Sequence, residues 1–478
     1  MNGSKEPRTG YRWIVLAMIF VTYTIAGADR ANLGVVIPTI RHEYHLSNTD
    51  VGSMAFLFYF CYAIVQIPSG YLFGKLGIKG LMVASMILTS ISTLFMGLAG
   101  SVIQLKAVRA VLGFAEGPIN IGIVSTIYRW FPPQEKGLAA GVFMAAMKFS
   151  AAIVPPVCAV LLLKFGWRDV FIFFAVPGLI CSAFWFWLVR DDPEASRRVS
   201  QSEVDYIRSA APASEAATTR TATTGRKDWI DRIVRTHEVD LLSSNRAVWT
   251  SWNLWGCALG YFFLAGINYS IMTWVPTYLV TVKHFSVLKM GAVASAPWVG
   301  AIVGNVLGGI LSDTVFARRR KPVMMITSLL TIGMMYALLF APNNPYLLAA
   351  LFFAAGVLLN LGYSTFLVYP MGIATREKVP LAASIVNTMG SLGGALAPLI
   401  VGMILDKSGW HWVFAFLAAC SSGTFLILLS IIEPRCRMPL GDGDSTVSRP
   451  SVDNLDALAD RTPAYRVLPK PQLLNTSV

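Results

Sequence analysis

The chain contains 478 residues, of which 55% are hydrophobic and only 14% are charged, and its formal net charge is +13. Soluble domains carry about 25% charged residues, so this composition excludes an ordinary soluble protein and indicates that lipid is the solvent. A basic excess of this size also raises the question of a nucleic-acid partner, which the distribution of the basic residues can answer.

Long apolar segments follow one another along the chain. A helix that crosses the hydrocarbon core needs about 20 apolar residues, and we count twelve such segments. The first runs from Trp13 to Ile40 and is interrupted by Asp29 and Arg30, so it is too long and too polar to be a cleaved signal peptide. We therefore predict an all-α membrane protein with twelve transmembrane helices in two six-helix halves.

Two polar stretches lie outside these segments. Residues 190–246 are rich in Ala, Ser, Thr and charged residues, which is typical of a linker, and the piece SQSEVDYIRS within them could form one or two amphipathic turns. Residues 434–478 are polar and contain prolines, which predicts a disordered tail. The predicted order is a cytoplasmic N-terminus (1–12), a six-helix bundle (13–189), a cytoplasmic central loop (190–246), a second six-helix bundle (247–433) and a cytoplasmic tail (434–478).

The basic residues between the spans fall on one side of the membrane if the spans alternate in direction. Besides those of the central loop, they are Lys5, Arg8, Arg12, Lys75, Lys79, Arg129, Lys136, Arg376, Lys378, Arg435, Arg437 and the run ARRRKP at 317–322. The opposite loops LAGS and APNNPY carry none. This asymmetry follows the positive-inside rule and predicts a protein of the cytoplasmic (inner) membrane with both termini in the cytoplasm. Because the basic excess is topological, no nucleic-acid partner is predicted.

The two halves of the chain repeat one another. LAAGVFMAAMKFSAAIVPP from Leu138 matches LAASIVNTMGSLGGALAP from Leu381, and FGWRDVF matches SGWHWVF. Gly409 follows Gly166 by 243 positions, as Leu381 follows Leu138, so the match contains no gap. Two repeated halves can rock against each other around a site near the middle of the membrane, which predicts a secondary transporter.

Five charged residues lie inside predicted spans, where a charge costs about 2.5–3.5 kcal/mol on insertion scales. They are Asp29, Arg30, Arg109, Glu116 and Lys148. Arg109 and Glu116 are almost two helical turns apart and project from one face of span 4, whereas Asp29 and Arg30 diverge by about 100°. A structural interpretation remains open, in which Asp29 and Glu116 pair with Arg109 and Arg30 to join spans 1 and 4. Lys148 could likewise reach a backbone carbonyl or extend towards water.

Acids and arginines in one cavity are suited to carrying an anion together with a proton. Burial disfavours the ionised form of a carboxyl, whereas a nearby guanidinium favours it, so the two effects compete. Arginine stays charged and grips a carboxylate through two parallel hydrogen bonds. A negative substrate that competes for the arginine would therefore give the released carboxyl a reason to take up a proton.

At this point the sequence resembles the major facilitator superfamily over residues 11–433. The segment GYLFGKLGIKG is similar to the signature of that superfamily, with its glycines at Gly70 and Gly77, but Gly74 replaces the acidic residue of the signature. The equivalent segment of the second half, GGILSDTVFARRRK, keeps that acid as Asp313. The resemblance implies a gating role for Asp313, Gly70 and Gly77.

Motifs around the buried charges narrow this resemblance to the anion:cation symporter family. DRANLGVVIP in span 1, RAVLGFAEGP in span 4 and TWVPTYL in span 7 look like those of bacterial permeases for galactonate, glucarate and hexuronates, which are related to vesicular organic-anion carriers. The resemblance implies that Asp29 and Glu116 couple protons and that Arg109 tunes the glutamate. It also implies that Arg30 binds the substrate anion.

Further side chains match the substrate pocket of these permeases or depart from it. Tyr62 and Asn387 match pocket residues in spans 2 and 11. Span 5 commonly carries a polar amide, whereas this chain has Met147 and Lys148 in that region. A lysine there would favour a second negative group on the substrate, or a carboxylate in a different place.

Span 7 lacks the arginine of the vesicular carriers. Tyr269 and Thr273 are polar groups there that could bond substrate hydroxyls. For the aromatic residues Trp274 and Tyr363, packing is favoured over substrate contact.

The predicted function is proton-coupled uptake of an organic carboxylate, with sugar acids (aldonates, hexuronates or aldarates) first and aromatic or dicarboxylic acids as the alternative. A multidrug-type exporter and an anion receptor that transports nothing are the rivals from other classes. No ATP-binding motif, nucleophile–base set or metal cluster is present in the sequence, so we predict no enzyme activity, no cofactor and no metal. The expected partners are a small organic anion, protons and the lipid bilayer, and the protein is expected to be a monomer.

Overall fold

Twelve apolar helices dominate the structure, a computed structural model. It describes residues 8–208, 236–238, 240–316, 319–375 and 377–435. Within these ranges twelve helical segments are long and apolar enough to cross a membrane, which confirms the predicted fold class. Most of the predicted tail and half of the predicted central loop lie outside the described residues.

The spans are numbered in chain order and have the following bounds: Tyr11–Tyr44, Asn48–Leu76, Ile78–Leu98, Val102–Trp130, Pro133–Phe165, Trp167–Leu188, Trp252–Thr281, Val287–Ile310, Lys321–Leu339, Pro345–Ile373, Val379–Lys407 and Trp410–Ser430. Span 8 continues into a π-helical turn, Leu311–Val315. Span 10 consists of two helices, Pro345–Asn360 and Tyr363–Ile373. Because short connections make neighbouring spans antiparallel, we call the side on which span 1 begins the basic side and the other the opposite side.

Short elements accompany the spans on the basic side. The helix Gln201–Arg208 forms two turns within the central loop, as the sequence allowed, and a shorter helix spans Asn245–Thr250. Strand β1 (Thr236–Glu238) pairs in parallel with strand β2 (Glu433–Arg435). The start of the predicted tail is therefore a strand.

The repeat detected in the sequence is visible in the backbone and in the packing. Gly166 and Gly409, related by the constant offset, both adopt positive φ (89° and 84°) immediately before spans 6 and 12. Spans 1, 2 and 3 pack on spans 5, 4 and 6, and spans 7, 8 and 9 pack on spans 11, 10 and 12 in the same pattern. The two halves meet where span 2 packs on span 11 and span 5 packs on span 8.

Small residues allow the closest helix contacts. Gly304 and Gly308 of span 8 face the backbone of span 10, where an added Cβ would lie 2.3 Å from the carbonyl oxygen of Val357 and 1.6 Å from that of Leu361. Glycine at these positions lets the two backbones approach, as is common between membrane helices.

The halves are joined by hydrogen bonds on the opposite side. The carboxylate of Asp406, at the end of span 11, accepts from the main-chain N–H groups of Asn48 (2.9 Å) and Thr49 (2.8 Å), at the start of span 2. It also accepts from the side chains of both residues. Next to this junction, an added Cβ on Gly52 would lie 2.8 Å from the carbonyl oxygen of Pro398. The two halves are thus closely packed at this end of spans 2 and 11.

Buried glutamates fix two helix starts on the basic side. Glu203 of the helix Gln201–Arg208 accepts from the hydroxyl of Thr9 and from the main-chain N–H groups of Tyr11 (3.1 Å) and Arg12 (3.2 Å). Burial opposes ionisation of Glu203, but these hydrogen bonds hold its pKa below the ordinary value. Glu433 serves the start of span 9 in the same way, accepting from the N–H of Lys321 at 2.7 Å.

Candidate functional site

A buried ion pair joins spans 1 and 4 near the middle of their length. Nη2 of Arg30 lies 2.5 Å from Oε1 of Glu116, and the two residues are 5% and 0% exposed. Both oxygens of Glu116 are buried and form no regular hydrogen bond among the described residues. The contact is therefore a charge pair in a dry environment, where its strength depends on both partners staying ionised.

Asp29 and Arg109 lie in the same cluster but form a different contact. Nη1 of Arg109 donates to the main-chain carbonyl of Asp29 at 3.2 Å, and both residues are 2% exposed. Oδ1 of Asp29 has no hydrogen-bond partner among the described residues. Of the two ion pairs in the structural interpretation, only that of Arg30 with Glu116 is formed. Arg109, the arginine predicted to tune Glu116, donates to the backbone of span 1 in this cluster.

Aromatic rings surround both guanidinium groups. The Arg30 guanidinium lies 4.7 Å from the ring centre of Tyr62 and 5.7 Å from that of Tyr23, and the Arg109 guanidinium lies 4.8 Å from that of Phe58. The hydroxyl of Tyr62 accepts from the side-chain amide of Asn120 at 3.1 Å. Tyr62 thus lies beside Arg30, and aromatic faces attract a cation without neutralising it.

The second half of the chain places uncharged polar side chains in the region of these charges. The ring of Tyr269 in span 7 lies 4.3 Å from that of Tyr59 in span 2, centre to centre. The side-chain amide of Asn387 in span 11 donates to Oε1 of Gln66 at 3.2 Å. The hydroxyl of Thr273 donates to the carbonyl of Tyr269 one turn earlier, at 2.9 Å. Tyr269 and Asn387 therefore reach the first half, whereas Thr273 donates to its own helix.

The side chain of Lys148 in span 5 also contacts the second half. Its Nζ donates to Oδ1 of Asn360 at 2.8 Å. It lies 4.5 Å from the ring centre of Tyr363 and 5.4 Å from that of Trp298. Asn360 is the last residue of the first helix of span 10, and broken helices of this kind are tolerated where the chain is buried in protein or lines a cavity.

The predicted gating residues lie on the basic side, away from this cluster. Asp313 forms an ion pair with Arg320 at 2.9 Å, and an added Cβ on Gly70 would meet nothing within 4 Å. Gly77 has φ of 78°, and an added Cβ there would lie 2.6 Å from Oδ2 of Asp191. Oδ1 of Asp191 accepts from the N–H of Lys79 at 2.6 Å. The carboxylate of Asp191, which follows span 6, thus approaches the end of span 2, where Gly74 replaces the acidic residue of the superfamily signature.

Several residues near the charges were not predicted. Tyr59 lies three positions before Tyr62 in span 2, a spacing that places both on one helix face. Asn360 and Gln66 are amides inside apolar runs, and both are buried. A search for every buried polar residue in the spans, rather than for charges alone, would have found these two. Trp274 is buried, and its ring N–H donates to the carbonyl of Pro398.

A cavity of about 500 Å³ lies elsewhere, at the opposite-side ends of spans 1, 5, 7 and 8, with Pro38, His42 and Met290 among its lining residues. It begins more than one helical turn beyond Arg30 in span 1, and none of the five buried charges lines it. Among the described residues, no group of three or more His, Cys, Asp or Glu side chains could hold a metal ion.

Two repeated halves of six spans, with charges buried at mid-depth, define the class of secondary transporters. The chain belongs to the Major Facilitator Superfamily, whose family model matches residues 19–323 and 286–468. This confirms the superfamily to which the sequence motifs pointed.

Several curated relatives of similar length are named as transporters, or probable transporters, of sugar acids. The chain is 26% identical to a probable galactarate/D-glucarate transporter of Bacillus subtilis (strain 168), over 91% of this chain and 94% of the relative. It is 28% identical to a probable galactarate/D-glucarate transporter of Escherichia coli (strain K12), over 90% and 96%. It is 27% identical to the D-galactonate transporter of Escherichia coli O6:H1, over 88% and 94%. The predicted resemblance to sugar-acid permeases is thereby confirmed.

The fold is also that of a solved transporter. A bacterial homologue of the human lysosomal transporter Spinster, in an inward-facing and unoccupied conformation, superposes with a TM-score of 0.66 at 19% identity, covering 89% of this chain and 94% of that one. At this identity the likeness concerns the fold alone.

Proposed function

We propose that this protein takes up a sugar acid (an aldonate, hexuronate or aldarate) together with protons across the cytoplasmic membrane. The observation that carries the proposal is the buried pair of Arg30 and Glu116. The names of the curated relatives support the substrate class. The positive-inside asymmetry supports cytoplasmic termini, and we propose that the monomer is the working unit.

Competition for Arg30 couples the substrate to the proton. An incoming carboxylate and the carboxylate of Glu116 are alternative partners of the same guanidinium. When the substrate binds Arg30, Glu116 loses its counter-ion inside a buried site, where an isolated negative charge is costly. Glu116 then takes up a proton, so substrate and proton are bound together and released together.

Asp29 and Arg109 support this exchange. Asp29 is buried with one free oxygen, and we assign to it a second proton. Arg109 holds the backbone of span 1 at this residue, which positions both Asp29 and its neighbour. Tyr62, Tyr269 and Asn387 are assigned to substrate hydroxyls.

The contacts between the halves suggest the direction of opening. The halves are hydrogen-bonded at the opposite-side ends of spans 2 and 11. With the basic side assigned to the cytoplasm, these hydrogen bonds hold the outer ends of spans 2 and 11 together, as expected for an importer that opens to the inside. Asp313, Gly70 and Gly77 lie at the inner face, where the gating contacts of the superfamily are expected.

A flux measurement in proteoliposomes tests the proposal. Purified protein in vesicles with an inward proton gradient should accumulate radiolabelled galactarate, glucarate or galactonate, and dissipating the gradient should abolish the accumulation. Glu116→Gln should retain exchange of substrate across the vesicle membrane but lose gradient-driven accumulation. Asp205→Asn, an exposed carboxylate of the helix Gln201–Arg208, is the control and should behave like the wild type.

The same measurement separates the rival functions. Substrate binding without flux would favour a receptor. Efflux of a lipophilic cation without any flux of organic anions would favour a multidrug exporter. Accumulation that does not respond to the proton gradient would refute the coupling while leaving transport in place.

A further inference from the structure

The ammonium of Lys148 is a second cationic group at the contact between the halves, and the competition for Arg30 does not involve it. Its hydrogen bond goes to a neutral amide, Asn360, and its other close neighbours are the rings of Tyr363 and Trp298. No carboxylate of the described residues forms an ion pair with it. Arg30, by contrast, has Glu116 beside it. Of these two cations, only one has its charge balanced by the protein.

The neighbours of Lys148 are held in place by the second half. The amide nitrogen of Asn360 donates to the carbonyl of Gly356 at 3.0 Å and to Oδ1 of Asn268 at 3.4 Å. With both donors directed into the second half, the amide oxygen is left facing Lys148. Asn360 is 1% exposed and Trp298 is 7% exposed, so both side chains are packed within the protein.

The ammonium keeps capacity for a further partner. A lysine ammonium has three N–H donors, and the bond to Asn360 occupies one of them. Aromatic faces attract a cation more weakly than a carboxylate does in a desolvated site. An anionic group would therefore bind here in preference to the rings alone.

Arg30 and Lys148 are related through two successive residues of span 5, Met147 and Lys148 itself. Nη1 of Arg30 lies 3.7 Å from Sδ of Met147, and the hydroxyl of Tyr23 lies 3.9 Å from the same atom. Lys148 follows Met147 directly in the chain, and successive residues of a helix point about 100° apart. Met147 thus faces the cluster of the first half, whereas Lys148 faces the second half.

We propose that Lys148, with Asn360, Tyr363 and Trp298 around it, is a second anion subsite, and that the preferred substrate carries a carboxylate at each end. One end binds Arg30 in the first half, and the other binds Lys148 against the second half. The preferred class is therefore the diacids, such as aldarates, over the monoacids, such as aldonates. The inference rests on the proposed function and deepens it.

Matched pairs of ligands test the subsite. Glucarate and gluconate, and galactarate and galactonate, differ only in whether the second end is a carboxylate or a primary alcohol. The affinity of purified protein for each is measured by calorimetry and by competition in the flux assay. The wild type should prefer the diacid. Lys148→Gln should lower diacid affinity about 10- to 100-fold, the effect of losing a buried charge-assisted bond, and leave monoacid affinity within about threefold.

Two further variants keep the test decisive. Lys148→Arg retains the charge and should retain the preference for the diacid, even if absolute affinity changes. Lys164→Gln removes a lysine at the end of the same span and should change neither affinity. Thermal unfolding of each variant identifies those that are folded.

The possible outcomes separate this inference from the proposed function. A wild type that prefers the monoacid, or an equal loss of both affinities in folded Lys148→Gln, would overturn the second subsite. The second of these results would make Lys148 a structural tie between the halves. In both cases, sugar-acid transport would stand. Failure of every ligand to bind or move would overturn the subsite and the proposed function together.

Discussion

The two halves share one packing pattern but differ in what they bury at mid-depth. The first half contributes Asp29, Arg30, Arg109 and Glu116, all at most 5% exposed. At the corresponding depth the second half contributes amides and phenols, among them Asn268, Asn360, Asn387, Tyr269 and Tyr363. The two halves thus share one scaffold but differ in buried chemistry, with acids and arginines in the first half and neutral polar groups in the second.

This division has a physical reason. The proposed coupling of a proton to an anion needs acids and cations that compete, and such groups are costly to bury. Concentrating them on two spans that contact each other in one half keeps acids and cations close together. The other half can then move relative to this cluster without separating buried ion pairs.

Removing Arg30 should have the largest effect, because it takes away both the proposed anion ligand and the counter-ion of Glu116. Arg30→Ala should weaken substrate binding at least about 100-fold and lower the free energy of unfolding by about 3–5 kcal/mol, the usual result of leaving a buried charge unpaired. Calorimetry and thermal unfolding measure the two effects separately.

The double variant Arg30→Ala/Glu116→Gln separates ligand binding from folding. Neutralising the stranded carboxyl should restore much of the stability, since no buried charge is left alone. Binding should remain lost. Recovery of binding in the double variant would show that Arg30 is only a structural partner of Glu116.

Neutralising Asp29 should affect coupling more than binding. Asp29→Asn should abolish pH-driven accumulation and change substrate affinity by no more than a few-fold, because Arg109 bonds the carbonyl of Asp29 and not its carboxylate. Accumulation against a proton gradient and equilibrium binding are the measurements, with exposed Asp169→Asn as the control. A drop in thermal stability that accounts for the whole loss would instead support a structural role.

The sequence predicted the charged half better than the neutral half. Buried charges stand out in apolar segments because their cost is high, which is why all four could be assigned to a common site. Asn360 and Tyr363 carry no such signal, since single amides and phenols are common in membrane helices. The sequence favours packing for Tyr363, and it gives no sign that this ring lies 4.5 Å from the ammonium of Lys148.

The spacing of residues along the chain could not predict which side chains of different helices pair with each other. The separation of Arg109 and Glu116 places both on one face of span 4, but which cation of span 1 or span 4 meets Glu116 depends on how the two helices are rotated. In the structure, Arg30 is the cation that contacts Glu116. Similarly, the approach of Asp191 to Gly77 depends on the end of span 6 returning to the start of span 3, a contact that no local motif records.

Close packing in the second half should be sensitive to single methyl groups. Gly308→Ala places a Cβ 1.6 Å from the carbonyl oxygen of Leu361, whereas an added Cβ on the adjacent Gly309 meets nothing within 4 Å. Gly308→Ala should therefore cost about 1–3 kcal/mol as spans 8 and 10 move apart. Thermal unfolding in detergent compares the two variants. Equal stability would mean that the contact between spans 8 and 10 relaxes freely.

The smallest effect is expected where the two halves are joined. Asp406 belongs to the second half and caps the start of span 2 through four hydrogen bonds. Because Asp406 lies at the surface, Asp406→Ala should destabilise the closed state by only about 0.5–2 kcal/mol. Spin labels at the exposed positions His42 and Lys289, on opposite halves at this end, should then report a larger share of long distances. Lys407→Ala, one residue further along, should leave the distances unchanged. If Asp406→Ala also leaves them unchanged, the close approach of Gly52 to Pro398 is sufficient to hold this face shut, and the carboxylate serves only to cap span 2.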